Sequence, residues 1–297
     1  MTISRLNLTF LIVSFKSNKI ISKCINSIDS KIKIIVIENS NDIKFKNYLE
    51  KKYKNVKCYL SKENLGMGSA NNLGIKYSKT NYVFIINPDV ILNINTLKEI
   101  YKASKFINDF SILSPILSNK NFPNFKKIKN QNISYDVNKP FNVESVDGFA
   151  MLLNKKKIKK ALKTKDFKFF DEKIFLYLEN DDLCKNLIKK NEKIYIIPKS
   201  KVRHMGGKSV DNKYYKEINY SRNWHWIWSK FYYNKKHFGF LFAFLNTFPT
   251  ALSALIKTIF YTIMLNNYKR KIYFSRLMGF LYSVTNQSSS YRPKINI

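Results

Sequence analysis

Glu179-Asn180-Asp181-Asp182 gathers acid at one point of a 297-residue chain whose formal net charge is +33. A carboxylate held in place can take a proton from an attacking hydroxyl. Asn and Asp in such a row can also cap a helix, where side-chain oxygens accept from free backbone N–H groups. Other residues offer a different chemistry. Asp89, in Asn87-Pro88-Asp89, and His204, before Gly206-Gly207, offer an oxygen and an imidazole nitrogen. A neutral imidazole ligates a divalent cation, and a protonated one pairs with phosphate. Glu38, Asn39 and Asn64 add further polar groups after apolar runs.

These residues need a scaffold. Residues 8–14 (LTFLIVS) read as a buried strand, and Ile20, Ile21, Cys24, Ile25 and Ile28 have helical spacing. KIIVIENS reads as a second strand, FKNYLEKKY as a short helix and VKCYLS as a third strand. ENLGMGSANNLGIKYS is a loop entering a helix, and YVFIINPDVIL a fourth strand stopped by Pro88. The alternation predicts an α/β fold built on a parallel sheet, whose ligands lie beyond the carboxyl ends of its strands. Glu38, Asn39, Asn64, Asn87 and Asp89 fall at those ends. Residues 118–140 are expected to form a mobile loop, and 144–158 a strand entering a helix. Residues 169–191 give a turn, an apolar segment and an amphipathic helix with Leu183, Leu187 and Ile188, Glu179 preceding its start. A strand and loop carry His204. This organisation assigns residues 1–212 to one domain and 213–297 to an aromatic, basic helical region.

The charge suits nucleic acid or an anionic membrane surface, and a lysine-rich composition also produces it. No helix-turn-helix, zinc or RNP-type signature accompanies it, so nucleic acid is not an expected partner. Three scattered cysteines, Cys24, Cys58 and Cys184, indicate no disulfide framework and suit a reducing cytoplasmic setting. The first apolar run lacks a small-residue cleavage site and reads as a strand. Phe238 to Ile256 carries no charge. That length suits a membrane span, but Asn246, Pro249 and Lys257 favour an interfacial or re-entrant segment.

Five segments occur in order: NLGMGSANNLGI (64–75), INPDVIL (86–92), VDGFAMLL (146–153), FFDEKIFLYLENDDLCKNL (169–187) and VRHMGGKS (202–209). Together they resemble family 2 glycosyltransferases, especially the rhamnosyltransferase-like branch, over residues 7–235. The resemblance implies a GT-A fold with a Rossmann-like, mostly parallel sheet and, here, a C-terminal helical, membrane-associating extension. It implies an inverting, metal-dependent hexosyltransferase that uses a nucleotide-diphosphate sugar and Mn²⁺ or Mg²⁺. Asp89 takes the place of the metal-binding acid, with His204 at the metal or diphosphate. Ser14, Glu38, Asn39, Asn64, Gly66, Asn72, Asn87, Gly148 and Arg222 fall at nucleotide-sugar-binding positions. The family motif reads Tyr-x-Glu-Asp-x-Asp-Leu-Cys. Here its first Asp is Asn180, an amide that cannot serve as base. Glu179 is therefore the first choice for the catalytic base and Asp181 the second, while Asp182 matches the later Asp. The expected acceptor is a lipid-linked glycan at the cytoplasmic membrane face, and dTDP-rhamnose is the donor implied by the branch. A fold that binds donor without turnover is the alternative that Asn87 and Asn180 keep open.

Overall fold

A computed structural model describes residues 3–107, 109–118, 123–128, 138–206 and 210–295. The chain divides into two compact units. The first comprises Met1–Leu65, Ser69–Phe170 and Asn180–Asp211, and the second Gly66–Gly68, Asp171–Glu179 and Asn212–Ile297.

In the first unit, β1 (Leu8–Ser14), α1 (Ile21–Asn26), β2 (Lys33–Glu38), α2 (Ile43–Lys52) and β3 (Val56–Leu60) alternate as the sequence pattern predicts. All seven residues of β1 are buried, as both faces of a central parallel strand require. The Asp42 side chain accepts from the Phe45 amide at 2.9 Å, starting α2. Then follow α3 (Gly66–Tyr77), whose first turn belongs to the second unit, and β4 (Tyr82–Ile86). Next come β5 (Val90–Leu92), α4 (Thr96–Phe106), β6 (Ile112–Leu117), β7 (Phe125–Lys126), β8 (Phe141–Asn142), β9 (Ser145–Val146) and β10 (Ala150–Asn154). The unit ends with α5 (Lys155–Leu162), α6 (Glu179–Ile188), whose first residue belongs to the second unit, and β11 (Ile194–His204).

Among the described residues the main sheet runs β3-β2-β1-β4-β10-β6-β11-β5, with β8 added beside β11. The first four strands are parallel. Beyond β4 the sheet is mixed, because β10 runs antiparallel to both β4 and β6 and β5 runs antiparallel to β11. The core lies on the sheet and includes Phe10, Phe84, Ile34, Ile100, Leu113 and Leu152.

Three expectations change. The apolar run 82–92 is two strands, not one. Pro88 has no N–H for the ladder, so β4 ends at Ile86 and β5 leaves to pair with β11. Glu179 is the first residue of α6 and does not precede it. Within the expected loop 118–140, Phe125 and Lys126 form a strand with Val146 and Ser145. Residues 119–122 and 129–137 of that loop lie outside the described residues, as do Gly207, Lys208 and Ser209 of the histidine motif.

The second unit is built on α7 (Tyr215–Phe238), α8 (Phe240–Ile263) and α9 (Asn267–Val284). Gly279 lets α9 approach α7 closely, since a Cβ there would lie 2.2 Å from the Trp224 carbonyl oxygen. α8 buries Ala243, Thr247, Ala251 and Ala254 and turns its larger apolar residues out. Leu241, Leu245, Ile256, Ile259 and Ile263 are each more than half exposed. The helix continues through Pro249 and is long and apolar enough to cross a membrane by length and composition.

Candidate functional site

In the first unit the parallel strands deliver their ends to one rim. Ser14 is in register with Glu38, and Glu38 with Leu60. The Asn39 N–H donates to the Ser14 carbonyl at 2.7 Å. Glu38 is fully buried, and its carboxylate is turned into its own chain. It accepts from the Ser40 amide (3.1 Å), the Asp42 amide (2.7 Å) and the Ser40 hydroxyl. Burial raises its pKa, against the opposing pull of those donors. Asn39 joins two predicted positions, donating to the Asn64 side chain at 3.1 Å. It also accepts from Ser61 and from the Leu65 amide, which fastens the loop before α3 to β2. Asn72 is a clamp: its oxygen accepts from the amides of Phe169 and Phe170 at 2.9 Å, and its nitrogen donates to the Phe170 carbonyl.

Asp89 and His204 meet because of strand register. His204 ends β11 opposite Val90, the residue after Asp89. The Met205 amide then donates to the Asp89 carbonyl at 3.1 Å. His204 Nε2 lies 3.3 Å from Asp89 Oδ1, and the imidazole stacks on Phe149 at 4.4 Å. Asp89 is 1% exposed, and its Oδ1 forms no hydrogen bond. Asn87 Oδ1 and Ser14 Oγ are likewise buried without hydrogen bonds. Buried polar atoms in this condition are open to a water, an ion or a ligand. An oxygen and an imidazole nitrogen fit a divalent cation that takes its remaining ligands from water and diphosphate. Among the described residues no three His, Cys, Asp or Glu side chains converge as a metal site.

The acidic row divides by environment. Asn180 Nδ2 donates to the Val146 carbonyl at 2.8 Å. Gly148 makes room for it, since a Cβ there would lie 3.3 Å from Asn180 Cβ. Asp181 is ion-paired with Lys126 at 2.6 Å and accepts from the Ser145 hydroxyl at 3.0 Å. Asp182 is buried and accepts from Asn186, one turn on, at 3.2 Å. Asp147 joins this neighbourhood. Its pKa is raised by burial and by the Asp181 charge, while Lys126 and His204 act against the shift. In the sequence only its place beside Gly148 singled it out, and nothing singled out Lys126 within a lysine-rich stretch.

In the second unit, Glu179 opens α6 and is 8% exposed. The chain reaches it through two left-handed residues, Tyr177 (φ 71°) and Leu178 (φ 66°). Non-glycine residues adopt that conformation at an energetic cost that the surrounding structure must offset. Burial raises the Tyr177 phenol's pKa; the Arg222 charge opposes this and the Glu179 charge adds to it. Tyr177, Glu179 and Arg222 therefore share one electrostatic neighbourhood. Gly66 has φ 77°, and a Cβ on it would lie 2.3 Å from the Phe175 carbonyl oxygen, so this position requires glycine. His225 is a packing residue, buried and held neutral, its pKa lowered to about 3 by burial.

The comparisons with known proteins agree with this architecture. The Low-salt glycan biosynthesis hexosyltransferase Agl10 of Haloferax volcanii is 27% identical over 118 residues, a match spanning 38% of this chain and 38% of the relative. The crystal structure of GalNAc-T7 with UDP, GalNAc and Mn²⁺ superposes with a TM-score of 0.54 at 13% identity, covering 67% of this chain and 43% of that one. The crystal structure of S. aureus TarS 1-349 superposes with a TM-score of 0.50 at 12% identity, covering 95% and 92%. These likenesses carry the GT-A type of fold. The model of the family described as Glycosyl transferase family 2 matches residues 9–178, more than half of the chain. With the strand order, the rim and the motifs in place, the chain belongs to glycosyltransferase family 2.

Proposed function

We propose that this glycosyltransferase moves a hexosyl group, with inversion, from a nucleoside-diphosphate sugar to a lipid-linked glycan at the cytoplasmic membrane face. The observation that supports it most is the buried Asp89 carboxylate beside His204 at a strand-end rim, in a family 2 chain. In the step we envisage, the acceptor oxygen bonds to the sugar's anomeric carbon as that carbon's bond to phosphate breaks. Glu179 takes the hydroxyl proton, and the nucleoside diphosphate leaves. Asp89 and His204 would hold Mn²⁺ or Mg²⁺. The cation, when bound, neutralises charge gathering on the diphosphate. Ser14, Asn39, Asn64 and Asn87 line the rim for the nucleotide sugar, and Arg222 offers a fixed cationic fork. Asp181, committed to Lys126, serves better to organise the turn than as base.

The rhamnosyltransferase-like motif order supports dTDP-rhamnose as donor. The exposed apolar face of α8, with Lys235, Lys236 and Lys257 near it in sequence, supports peripheral or re-entrant contact with anionic lipid. The division into a catalytic domain, 1–212, and a membrane-associating region, 213–297, belongs to the same reading. A second reading, donor binding without turnover, draws on the amides Asn87 and Asn180. Turnover of a sugar-nucleotide panel by the parent, Glu179→Gln and Asp89→Asn separates the two. The first requires loss of about 10²- to 10⁴-fold in Glu179→Gln; a parent that binds donor but does not turn it over upholds the second.

A further inference from the structure

Phe175 is held by two residues distant in sequence. The His225 imidazole on α7 stacks on its ring, with centroids 4.4 Å apart and planes at 27°. The guanidinium carbon of Arg292 lies 3.9 Å from the same ring centroid. A cation this close to a buried aromatic face is strongly attracted to it. The segment bearing Arg292 is fastened in turn to α7. Trp228 donates to the Gln287 carbonyl at 3.1 Å. His225 Nε2 lies 2.9 Å from the Tyr291 carbonyl, and Nδ1 lies 2.9 Å from the Ser289 hydroxyl. A carbonyl only accepts, so Nε2 carries the proton and Ser289 donates to Nδ1. Arg292 itself donates to the Ser289 and Tyr291 carbonyls.

The backbone around Phe175 is equally committed. Its carbonyl accepts from the Met67 amide at 2.8 Å, and the Leu176 carbonyl accepts from the Ser229 hydroxyl at 2.7 Å. Directly after these anchors come the left-handed Tyr177 and Leu178, and then Glu179. A conformation that the residues themselves disfavour is thus imposed from outside, next to the proposed base.

We infer that Arg292 is a positioning residue for Glu179. Its cation over Phe175 locks the turn at 175–178 and thereby fixes where the Glu179 carboxylate stands. The inference rests on the reading of Glu179 as the base.

The test uses the full chain, with Arg292→Ala, Arg292→Lys and Glu179→Gln assayed beside the parent on dTDP-rhamnose, UDP-glucose and UDP-GalNAc. Amide hydrogen exchange over residues 174–180 and over α7 gives a readout independent of activity. Misplacing a catalytic group slightly is enough to lower kcat about 10- to 100-fold in Arg292→Ala, with donor KM changed by no more than about twofold. Arg292→Lys keeps a cation on the ring and restores most of kcat. Exchange over 174–180 rises in the alanine variant while α7 keeps its protection. The inference falls if Arg292→Ala keeps kcat within about twofold, or if its loss is not rescued by lysine and α7 exchanges equally fast. In either case an inactive Glu179→Gln leaves the base reading standing. Full activity in Glu179→Gln, or no turnover by the parent on any donor, removes both together.

Discussion

Asn180 donates its side-chain amide to the Val146 carbonyl at 2.8 Å, in space kept open by the missing side chain of Gly148. This contact accounts for an amide where the family motif has an acid. An ionised carboxylate has no proton to donate, would face the carbonyl oxygen, and would stand beside Asp181. Asn180→Asp is therefore expected to destabilise the protein by about 1–3 kcal/mol at neutral pH. The new carboxyl would have its pKa raised in the folded state, so the deficit should be greatest at neutral pH. It should shrink as pH falls toward the unfolded value of about 3.9, where the protonated group can donate again. Thermal unfolding of both proteins from pH 7 to pH 4 checks the sign; a constant deficit would rule out this account.

Asp89 and His204 should act together on metal and diphosphate. With the Mn²⁺ complex of a nucleoside diphosphate at about a hundred times its dissociation constant, the parent should gain about 2.7 kcal/mol of stability. Asp89→Asn and His204→Ala should each remove most of the gain that depends on Mn²⁺. A thermal-shift titration with and without the metal measures it. Unchanged metal dependence in both variants would remove these two residues from the site.

His225 predicts acid lability. Its folded pKa, near 3, lies below the unfolded value of about 6.5. The stability it contributes as a neutral ring is complete above pH 6.5 and is lost as pH falls toward 3, at roughly 1 kcal/mol per pH unit. His225→Phe keeps an aromatic ring against Phe175 but leaves the Ser289 hydroxyl and Tyr291 carbonyl without this partner. It should be less stable than the parent at pH 7, and the gap should narrow toward pH 4. Denaturant unfolding across that range reads the slope directly, and a parallel pair of curves would contradict the assignment.

The outward face of α8 should be the membrane contact. Burying one large apolar side chain in lipid contributes about 1.5–3 kcal/mol, so each change to a charge weakens binding sharply. Leu245→Glu with Ile256→Glu should lower partitioning onto anionic liposomes at least about tenfold. Ala251 faces inward, and its replacement by a larger residue should affect folding of the helical unit before it affects lipid binding. Flotation of the folded variants separates the two effects; undiminished binding of the double variant would exclude the α8 face.

Much of this protein is legible in its sequence because the signals are local. Apolar runs such as 8–14 and 33–38 read as buried strands, and helical spacing after Asp182 marked α6. The placement of Glu38, Asn39, Asn87 and Asp89 at strand ends followed from strand alternation alone. The motif order was legible separately, through the resemblance of five segments to family 2. Other features depended on residues distant in the chain. The split of residues 82–92 into β4 and β5 depends on β11 being available as a second partner. The meeting of Asp89 with His204 depends on the register of β5 against β11. Asn72 falls at a nucleotide-sugar-binding position by resemblance, and the Phe169 and Phe170 amides that engage its side chain are brought to it only by the folded chain.

The acidic row shows the same division. Composition made it conspicuous and spacing put it at a helix start. Only the fold assigned Asn180 to a carbonyl, Asp181 to Lys126 and Asp182 to Asn186. The reason is physical: periodicity records which face of an element is buried, whereas a hydrogen bond depends on angles and distances between segments that the sequence keeps apart.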